Sequence, residues 1–360
     1  MPIELMKIFN GKKEDLTKTK KGEINILMIG GRRAGKSSVL TSMSKCCLEQ
    51  LAGNHELSVV RDANSGIALN VKQKELENYF SPVNRRKPYF PADGTPSPQN
   101  KANYGFDVMV NSKQLGYDLR FVDVKGEMLS DSQYSEELQG IMDACGIIII
   151  AIDTPHLVEE INPATGYGMY HDEFNRVAEL TRFFKTTFQK SQAPRLVMFV
   201  PLKCEKYYYR NDHPKLGMSM VNDMVKKGYK ELFDYLNTPD VKALCTTAIV
   251  PILTLGGAEF LEFGEEIYCG YYTFVEDPAL CKFSPKYCEQ PLFLTLLYAI
   301  TLTKRMKNKQ SKVSRFLTEL IKNEADLTRL MTCEKTLKSK LITDAKLGFE
   351  ILNDPLNMTH

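Results

Sequence analysis

The 360-residue sequence lacks any hydrophobic run long enough to cross a membrane. Its longest apolar run, Gly146–Ile152, is far shorter than the roughly 20 apolar residues that a membrane helix needs. The first segment, Met1–Lys21, is too rich in lysine for a secretory signal peptide. We therefore expect no membrane span, and residues 1–22 are predicted to form a polar N-terminal tail.

The sequence also lacks an excess of either charge, with 47 basic and 44 acidic residues and a net charge of +3. This near balance gives no case for a nucleic-acid or membrane-surface partner. The nine cysteines follow no signal for export, so we expect them to be reduced and the protein to be cytoplasmic. A zinc site of Cys269, Cys281 and Cys288 is a second reading, although their spacing fits no usual ligand pattern.

Apolar segments typical of strands alternate with helical patterns, which predicts an α/β fold around a mostly parallel sheet. Predicted strands are Ile24–Ile29, Tyr104–Val110, Tyr117–Val122, Gly146–Asp153, Arg195–Val200 and Thr247–Thr254. Predicted helices are Ser37–Gln50, Val71–Phe80, Ser132–Asp143, Glu173–Gln189, Val221–Leu236 and Gln290–Met306. The link between Val110 and Tyr117 is so short that it can join only antiparallel strands.

Two regions do not follow this alternation. The stretch at about 52–104 is predicted to be a long, irregular and proline-rich insertion, and loops of that length tend to be functional. Residues 307–360 carry apolar side chains at helical spacing and are predicted to form a helical C-terminal extension. Its apolar stripe packs on the body of the protein or binds a partner.

The segment Gly30–Ser37 matches the pattern G-x-x-x-x-G-K-[ST] at every fixed position, with a strand before it and a helix after it. Glycines without a Cβ let backbone N–H groups approach phosphate oxygens, and a helix N-terminus favours an anion. Lys36 is expected to bind the β- and γ-phosphates, and the Ser37 hydroxyl is expected to ligate Mg²⁺. A purely structural glycine turn is the alternative. The predicted phosphate-binding residues here are Gly30, Arg33, Ala34, Gly35, Lys36, Ser37 and Ser38.

A second motif, D-x-x-G, follows the strand Tyr117–Val122. Asp123 would stand at the carboxyl end of that strand, where a carboxylate can hold Mg²⁺ through water. Gly126 can turn its N–H toward a γ-phosphate. These two motifs together predict a P-loop nucleotide site.

At these residues the chain resembles the translation-factor-related class of P-loop GTPases, which contains the Ras-like proteins. It resembles most the bacterial double-GTPase type 2 proteins, which are associated with conflict or antiviral defence systems. The strings that carry this second resemblance are Asp123-Val124-Lys125-Gly126-Glu127, Lys203-Cys204-Glu205, Thr254-Leu255-Gly256-Gly257 and Cys288-Glu289-Gln290-Pro291-Leu292. The resemblance implies a three-layer P-loop NTPase fold over residues 23–306, with one antiparallel strand in the sheet.

The same resemblance implies further site residues. Thr95 would close over Mg²⁺ and the γ-phosphate, although it also reads as a turn threonine. Lys203 and Glu205 would read the guanine base, with Glu205 standing where the class has aspartate. Leu255 would present a backbone N–H to the base, unless the glycines after it are merely structural.

Hydrolysis needs a positioned water and compensation of the developing charge. Glu127 stands where Ras-like proteins place a water-orienting glutamine, or it is an exposed acid that starts a helix. Arg32 and Arg33 lie on the γ-phosphate side and face solvent, or one of them acts as an in-chain arginine finger. The predicted catalytic residues are Lys36, Glu127 and Thr95.

The leading functional hypothesis is a GTP- and Mg²⁺-dependent switch whose loops or C-terminal helix contact a protein effector. An ATPase or small-molecule phosphotransferase is a second hypothesis, with its acceptor site in the stretch at 52–104. A nucleotide-binding adaptor with negligible turnover is the third.

Overall fold

The computed structural model describes residues 6–9, 12–15, 23–51, 57–92, 101–110, 113–210, 217–264, 270–309 and 324–359. The strands are β1 (Met6–Phe9), β2 (Lys12–Asp15), β3 (Glu23–Ile29), β4 (Leu57–Arg61), β5 (Phe90–Ala92), β6 (Lys101–Val110), β7 (Lys113–Val124), β8 (Ile147–Asp153), β9 (Arg195–Leu202), β10 (Cys245–Ile249), β11 (Ala258–Phe263), β12 (Gly270–Phe274) and β13 (Glu350–Asn353). The helices are α1 (Lys36–Gln50), α2 (Ala63–Asn78), α3 (Ser135–Ala144), α4 (Thr154–Val158), α5 (His171–Asn175), α6 (Val177–Lys190), α7 (Glu205–Tyr209), α8 (Met218–Gly228), α9 (Lys230–Leu236), α10 (Pro239–Lys242), α11 (Gln290–Lys309) and α12 (Glu324–Lys340). Short 3₁₀ turns lie at Asn84–Arg86, Gly126–Leu129, Ser132–Tyr134 and Ala345–Leu347.

A large sheet runs through the described residues in the order β13-β10-β9-β8-β3-β7-β6-β4. Its five central strands β10, β9, β8, β3 and β7 are parallel to one another. The predicted antiparallel hairpin is present as β6 and β7. Strand β13 also runs antiparallel to β10. The sheet therefore has two strands, β6 and β13, that run opposite to the central parallel strands, where the sequence predicts one. The α/β class with a mostly parallel sheet is confirmed, and β1 and β2 form a separate antiparallel pair.

Helices cover both faces of the sheet. In β8, Ile148 and Ile150 face a core that includes side chains of α3, α6, α8 and α9. Ile147 and Ile149 face the opposite core, which includes side chains of α1, α2, α11 and α12. A strand covered on both faces reads as a continuous apolar run, which is why β8 was recognisable in the sequence.

The region at 57–92 is more regular than the sequence predicts. Strand β4 extends the edge of the large sheet by pairing with β6, and α2 begins at Ala63, well before the predicted Val71. The Asp62 side chain caps α2 by accepting a hydrogen bond from the Ser65 N–H at 2.7 Å. Strand β5 joins β11 and β12 in a small antiparallel sheet. Long-range pairing therefore orders a segment whose proline content suggested an irregular loop.

The C-terminal segment is not a purely helical extension, and that prediction is not confirmed. Helix α12 packs on the body, because Cys333 and Leu337 are buried in the same core as Leu297 of α11. The chain then returns to the large sheet as β13. Among the described residues, no helix combines the length and apolarity that a membrane span needs.

Candidate functional site

The glycine-rich segment forms the turn between β3 and α1. The Gly35 backbone is left-handed, with φ of 104°, and α1 begins at the next residue. The ammonium group of Lys36 folds back over the turn and donates hydrogen bonds to the carbonyl oxygens of Gly30 at 2.9 Å and Gly31 at 2.8 Å. Burial lowers the pKa of Lys36, although Asp123 and Glu127 oppose the shift. This geometry places a buried cation beside a turn whose helix N-terminus favours anions.

Asp123 lies beside this turn, as the motif spacing predicts. It is paired with Met28 in the parallel register of β7 and β3, so it lies near the end of its strand, next to the glycine-rich turn. The Ser37 hydroxyl donates a hydrogen bond to Asp123 Oδ2 at 2.6 Å. Burial raises the pKa of Asp123, while the nearby Lys36 ammonium and the bond from Ser37 oppose that shift. Two residues that are 86 positions apart in the sequence are thus in direct contact at the site.

The Ser37 hydroxyl and the Asp123 carboxylate could hold Mg²⁺. Both offer oxygen ligands, and Mg²⁺ commonly takes only one or two protein ligands together with phosphate oxygens and waters. No cluster of three or more His, Cys, Asp or Glu side chains suited to a metal occurs within the described residues. Cys281 and Cys288 are free thiols, and Cys269 lies outside the described residues, so the zinc reading gains no support.

Glycines allow three other segments to pack directly against the turn. A Cβ on Gly30 would overlap the Ala151 carbonyl of β8, and a Cβ on Gly31 would overlap the Phe174 carbonyl of α5. A Cβ on Gly126 would overlap the backbone of Arg32. The motif requires glycine at position 30 but allows any residue at position 31. The glycine at position 31 is therefore the feature of the sequence that could have indicated a close contact with another segment. Sequence reasoning missed it because residues 154–176 carry no recognised motif.

A cleft of about 190 Å³ opens on this side of the turn. Across it, Arg32 Nε and Glu127 Oε1 form an ion pair at 3.0 Å, and both side chains are about half exposed. Arg32 therefore faces the cleft and not only solvent. The opposite wall is formed by α5 and the residue after it. The cleft residues used below are Arg32, Gly126, Glu127, Glu173, Phe174 and Arg176.

The residues predicted to read the base also lie together, at the ends of β9 and β10. Glu205 is 1 % exposed, and its Oε1 accepts hydrogen bonds from the backbone N–H groups of Leu255 at 2.8 Å and Gly256 at 3.1 Å. Burial raises the pKa of Glu205, and these two bonds oppose the shift. The carboxylate and the backbone donor assigned to the base therefore bind each other.

Lys203 is held by a different partner. Its ammonium donates to Asp153 Oδ2 at 2.6 Å, at the carboxyl end of β8. Burial alone would lower the pKa of Lys203, but Asp153 and a hydrogen bond to Tyr272 raise it above the usual value. Tyr272 belongs to β12, so the small sheet packs over this end of the large one.

The remaining predicted residues have the following positions. Arg33 and Ala34 lie in the turn before α1, with Arg33 at a left-handed φ of 57° and Ala34 buried. Ser38 lies in the first turn of α1. Thr95 falls outside the described residues, so its part in the site stays a prediction.

No protein-family model matches the sequence, and no curated protein matches it. Among solved structures, the chain is similar to the S. cerevisiae Ski7 GTPase-like domain, which was crystallised with GDP and inorganic phosphate. The identity is 14 % and the TM-score is 0.35, with 81 % of this chain and 51 % of that chain covered. The chain thus spans about half the length of that protein, and the likeness is distant. The function is inferred below from the geometry of the site.

Proposed function

We propose that this protein binds and hydrolyses GTP with Mg²⁺ and acts as a molecular switch. The observation that carries the proposal is the hydrogen bond from Ser37 to Asp123 beside the buried Lys36 ammonium. A structural glycine turn does not need a buried cation, a hydroxyl and a buried carboxylate at one helix N-terminus, because each charge costs solvation free energy. A nucleoside triphosphate with its Mg²⁺ would give all three a partner: phosphate oxygens for the cation, and Mg²⁺ for the hydroxyl and the carboxylate.

On binding, Lys36 exchanges its bonds to Gly30 and Gly31 for phosphate oxygens, which accept charge-assisted bonds. Backbone N–H groups from Arg33 to Ser38 then surround the phosphates. Ser37 would hold Mg²⁺ directly, and Asp123 would hold it through water. When bound, Mg²⁺ supplies charge compensation on the β- and γ-oxygens.

Glu127 is the proposed water-positioning residue. Glu127 follows Gly126, whose N–H is proposed to donate a hydrogen bond to the γ-phosphate. Both residues line the cleft beside the glycine-rich turn. The ion pair with Arg32 restrains the Glu127 side chain, whose carboxylate can accept a hydrogen bond from the attacking water.

Guanine recognition is proposed to occur by exchange at Glu205. Guanine presents two N–H donors beside one carbonyl acceptor, and adenine does not present that set on the same edge. The donors of guanine would replace the N–H groups of Leu255 and Gly256 at the Glu205 carboxylate. The released backbone N–H groups would then donate to the guanine carbonyl. A base that cannot complete this exchange leaves buried polar groups unpaired.

The switch itself is proposed to involve the residues after Asp123 and the loop that contains Thr95. A γ-phosphate would bind Gly126 and reorder the Lys125–Tyr134 segment, which an effector protein then recognises. A role in a bacterial conflict or defence system is part of this proposal and follows only from the resemblance of the motifs.

One observation favours an ATPase as the second candidate. Glu205 is already satisfied by backbone donors, and a carboxylate that stays so cannot read guanine. In that case Lys36, Ser37 and Asp123 bind phosphate and Mg²⁺ as proposed, but the site does not distinguish guanine from adenine.

Titration with GTP, GDP, ATP and ADP, with and without Mg²⁺, separates these candidates. We expect GTP and GDP to bind at least 10-fold more tightly than ATP and ADP. Lys36→Ala should weaken binding of every nucleotide roughly 100-fold, because two charge-assisted contacts are lost. Lys45→Ala, on the same helix, is the control. Equal GTP and ATP binding points to the ATPase, and tight binding by Lys36→Ala refutes both.

A further inference from the structure

The segment after β8 forms one wall of the cleft beside the glycine-rich turn. It packs against the turn at Phe174, whose carbonyl oxygen occupies the space that a side chain on Gly31 would need. The opposite wall is the turn that begins at Gly126, which packs on the Arg32 backbone. The cleft therefore lies next to the position proposed for the γ-phosphate.

This wall is fixed to the large sheet by Asn175. The Asn175 side chain is fully buried, accepts a hydrogen bond from the Asp153 N–H at 2.8 Å and donates one to the Asp153 carbonyl at 3.2 Å. The ring of Phe174 stacks on His156, with 3.8 Å between ring centroids. These contacts hold α5 at the end of β8.

Arg176 follows directly after this anchor and lines the cleft. Its backbone is left-handed, with φ of 53° and ψ of 46°, which is an unfavourable conformation for a residue with a side chain. Such strained positions concentrate at functional sites, because the surrounding structure must hold them in place. Glycine would adopt this conformation more easily than arginine does.

The two arginines that line the cleft differ in their ion pairs. Arg32 is engaged with Glu127 at 3.0 Å. The Arg176 guanidinium has a longer contact, 3.5 Å to Glu179 in the first turn of α6, and its side chain is about one-third exposed. A guanidinium whose ion pair is long and partly exposed can exchange that ion pair for a more highly charged phosphate.

We propose that Arg176 is an in-chain catalytic arginine that contacts the γ-phosphate during hydrolysis. This inference rests on the proposed function. In the step, a water oxygen bonds to the terminal phosphorus while the bond from phosphorus to the β–γ bridging oxygen breaks. The products are the nucleoside diphosphate, inorganic phosphate and a proton released to solvent. Arg176 remains protonated throughout and neutralises charge on the transferred group.

The test compares Arg176→Gly, Arg176→Lys and the control Arg182→Lys, which changes an exposed arginine of α6, the helix that begins directly after Arg176. Arg176→Gly suits the left-handed backbone, so the fold should be retained. We expect GDP affinity to change less than about 2-fold and single-turnover hydrolysis of GTP to fall roughly 1,000-fold in both Arg176 variants. Arg182→Lys should behave as the wild type.

A second readout separates catalysis from structure. Aluminium fluoride with GDP mimics the transferred group, and the wild type should bind this pair while the Arg176 variants bind GDP alone. Hydrolysis or aluminium fluoride binding at wild-type level in Arg176→Gly overturns the inference. A wild-type protein that binds GDP but not the aluminium fluoride pair also overturns it and leaves nucleotide binding intact. A wild-type protein that binds no nucleotide refutes the proposed function instead.

Discussion

The Ser37 hydroxyl donates a hydrogen bond of 2.6 Å to the Asp123 carboxylate, which lies 86 residues further along the chain. The two residues belong to the two strongest motifs in the sequence. Parallel pairing of β3 with β7 brings the ends of both strands to one edge of the sheet, and that edge is where α/β sheets bind ligands.

Removal of the Ser37 hydroxyl should uncouple nucleotide binding from Mg²⁺. In Ser37→Ala, we expect the gain in GTP affinity on adding Mg²⁺ to fall roughly 10-fold or more, because one oxygen ligand is lost. Isothermal titration with and without Mg²⁺ measures this gain. Ser44→Ala, in the same helix, should keep it. An unchanged gain in Ser37→Ala would contradict the assignment of Ser37 as a metal ligand.

Glu205→Gln should reduce the preference for guanine over adenine nucleotides. The amide keeps the size of the side chain but offers only one oxygen as acceptor, so the donors of guanine lose a charged partner. We expect the ratio of ATP to GTP dissociation constants to fall by about 10-fold. Competition binding gives this ratio, with the exposed Glu262→Gln as control. A ratio that stays at the wild-type value would remove Glu205 from base recognition.

Glu205→Ala tests a different consequence of the same contacts. The buried N–H groups of Leu255 and Gly256 would lose their acceptor, and an unpaired buried donor costs about 1–3 kcal/mol. The free energy of unfolding should therefore fall by that amount or more in urea titrations. A variant as stable as the wild type would show that water or another group replaces the carboxylate.

Gly31→Ala should destabilise the protein, because the added methyl group overlaps the Phe174 carbonyl. Overpacking of this kind costs about 1–3 kcal/mol. Gly146→Ala is the matched control, since nothing lies within 4 Å of its added Cβ. Urea unfolding of both variants gives the comparison, and equal stabilities would argue against close packing of α5 on the glycine-rich turn.

Acid should destabilise the fold through His171, which is fully buried. Burial lowers its pKa from 6.5 to about 4, and His156 adds to the shift, while Asp172 and a hydrogen bond to the Gly228 backbone oppose it. Between these two pH values the unfolded chain binds a proton that the native protein does not. The free energy of unfolding therefore decreases as the pH falls from 6.5 to 4, by about 3 kcal/mol in total.

Urea unfolding across this pH range should show a smaller decrease for His171→Gln than for the wild type, because glutamine does not titrate. The His171 ring signals in a proton NMR titration give its pKa directly. A native pKa near 6.5, or equal pH dependence of the two proteins, would show that His171 does not contribute to the acid sensitivity.

Much of the fold follows from local patterns. The buried strand β8 is a continuous apolar run, and the short link before β7 allows only a hairpin. Strands β4 and β13 were missed because each is a short edge strand whose partner lies far away in the sequence. Their ordering depends on pairing with β6 and β10, which no local pattern encodes.

The sequence by itself determined the glycine-rich turn, with Lys36 and Ser37 at the start of α1, because only those residue types bring backbone N–H groups, a cation and a hydroxyl to one phosphate. It also determined that Asp123 lies near the carboxyl end of a strand. Only the tertiary structure decided that Glu205 binds the backbone at Leu255 and that Arg176 lines the cleft. Those contacts join segments about 50 to 145 residues apart in the sequence. The spacing of residues within a short segment carries no information about which distant segments the folded chain brings together.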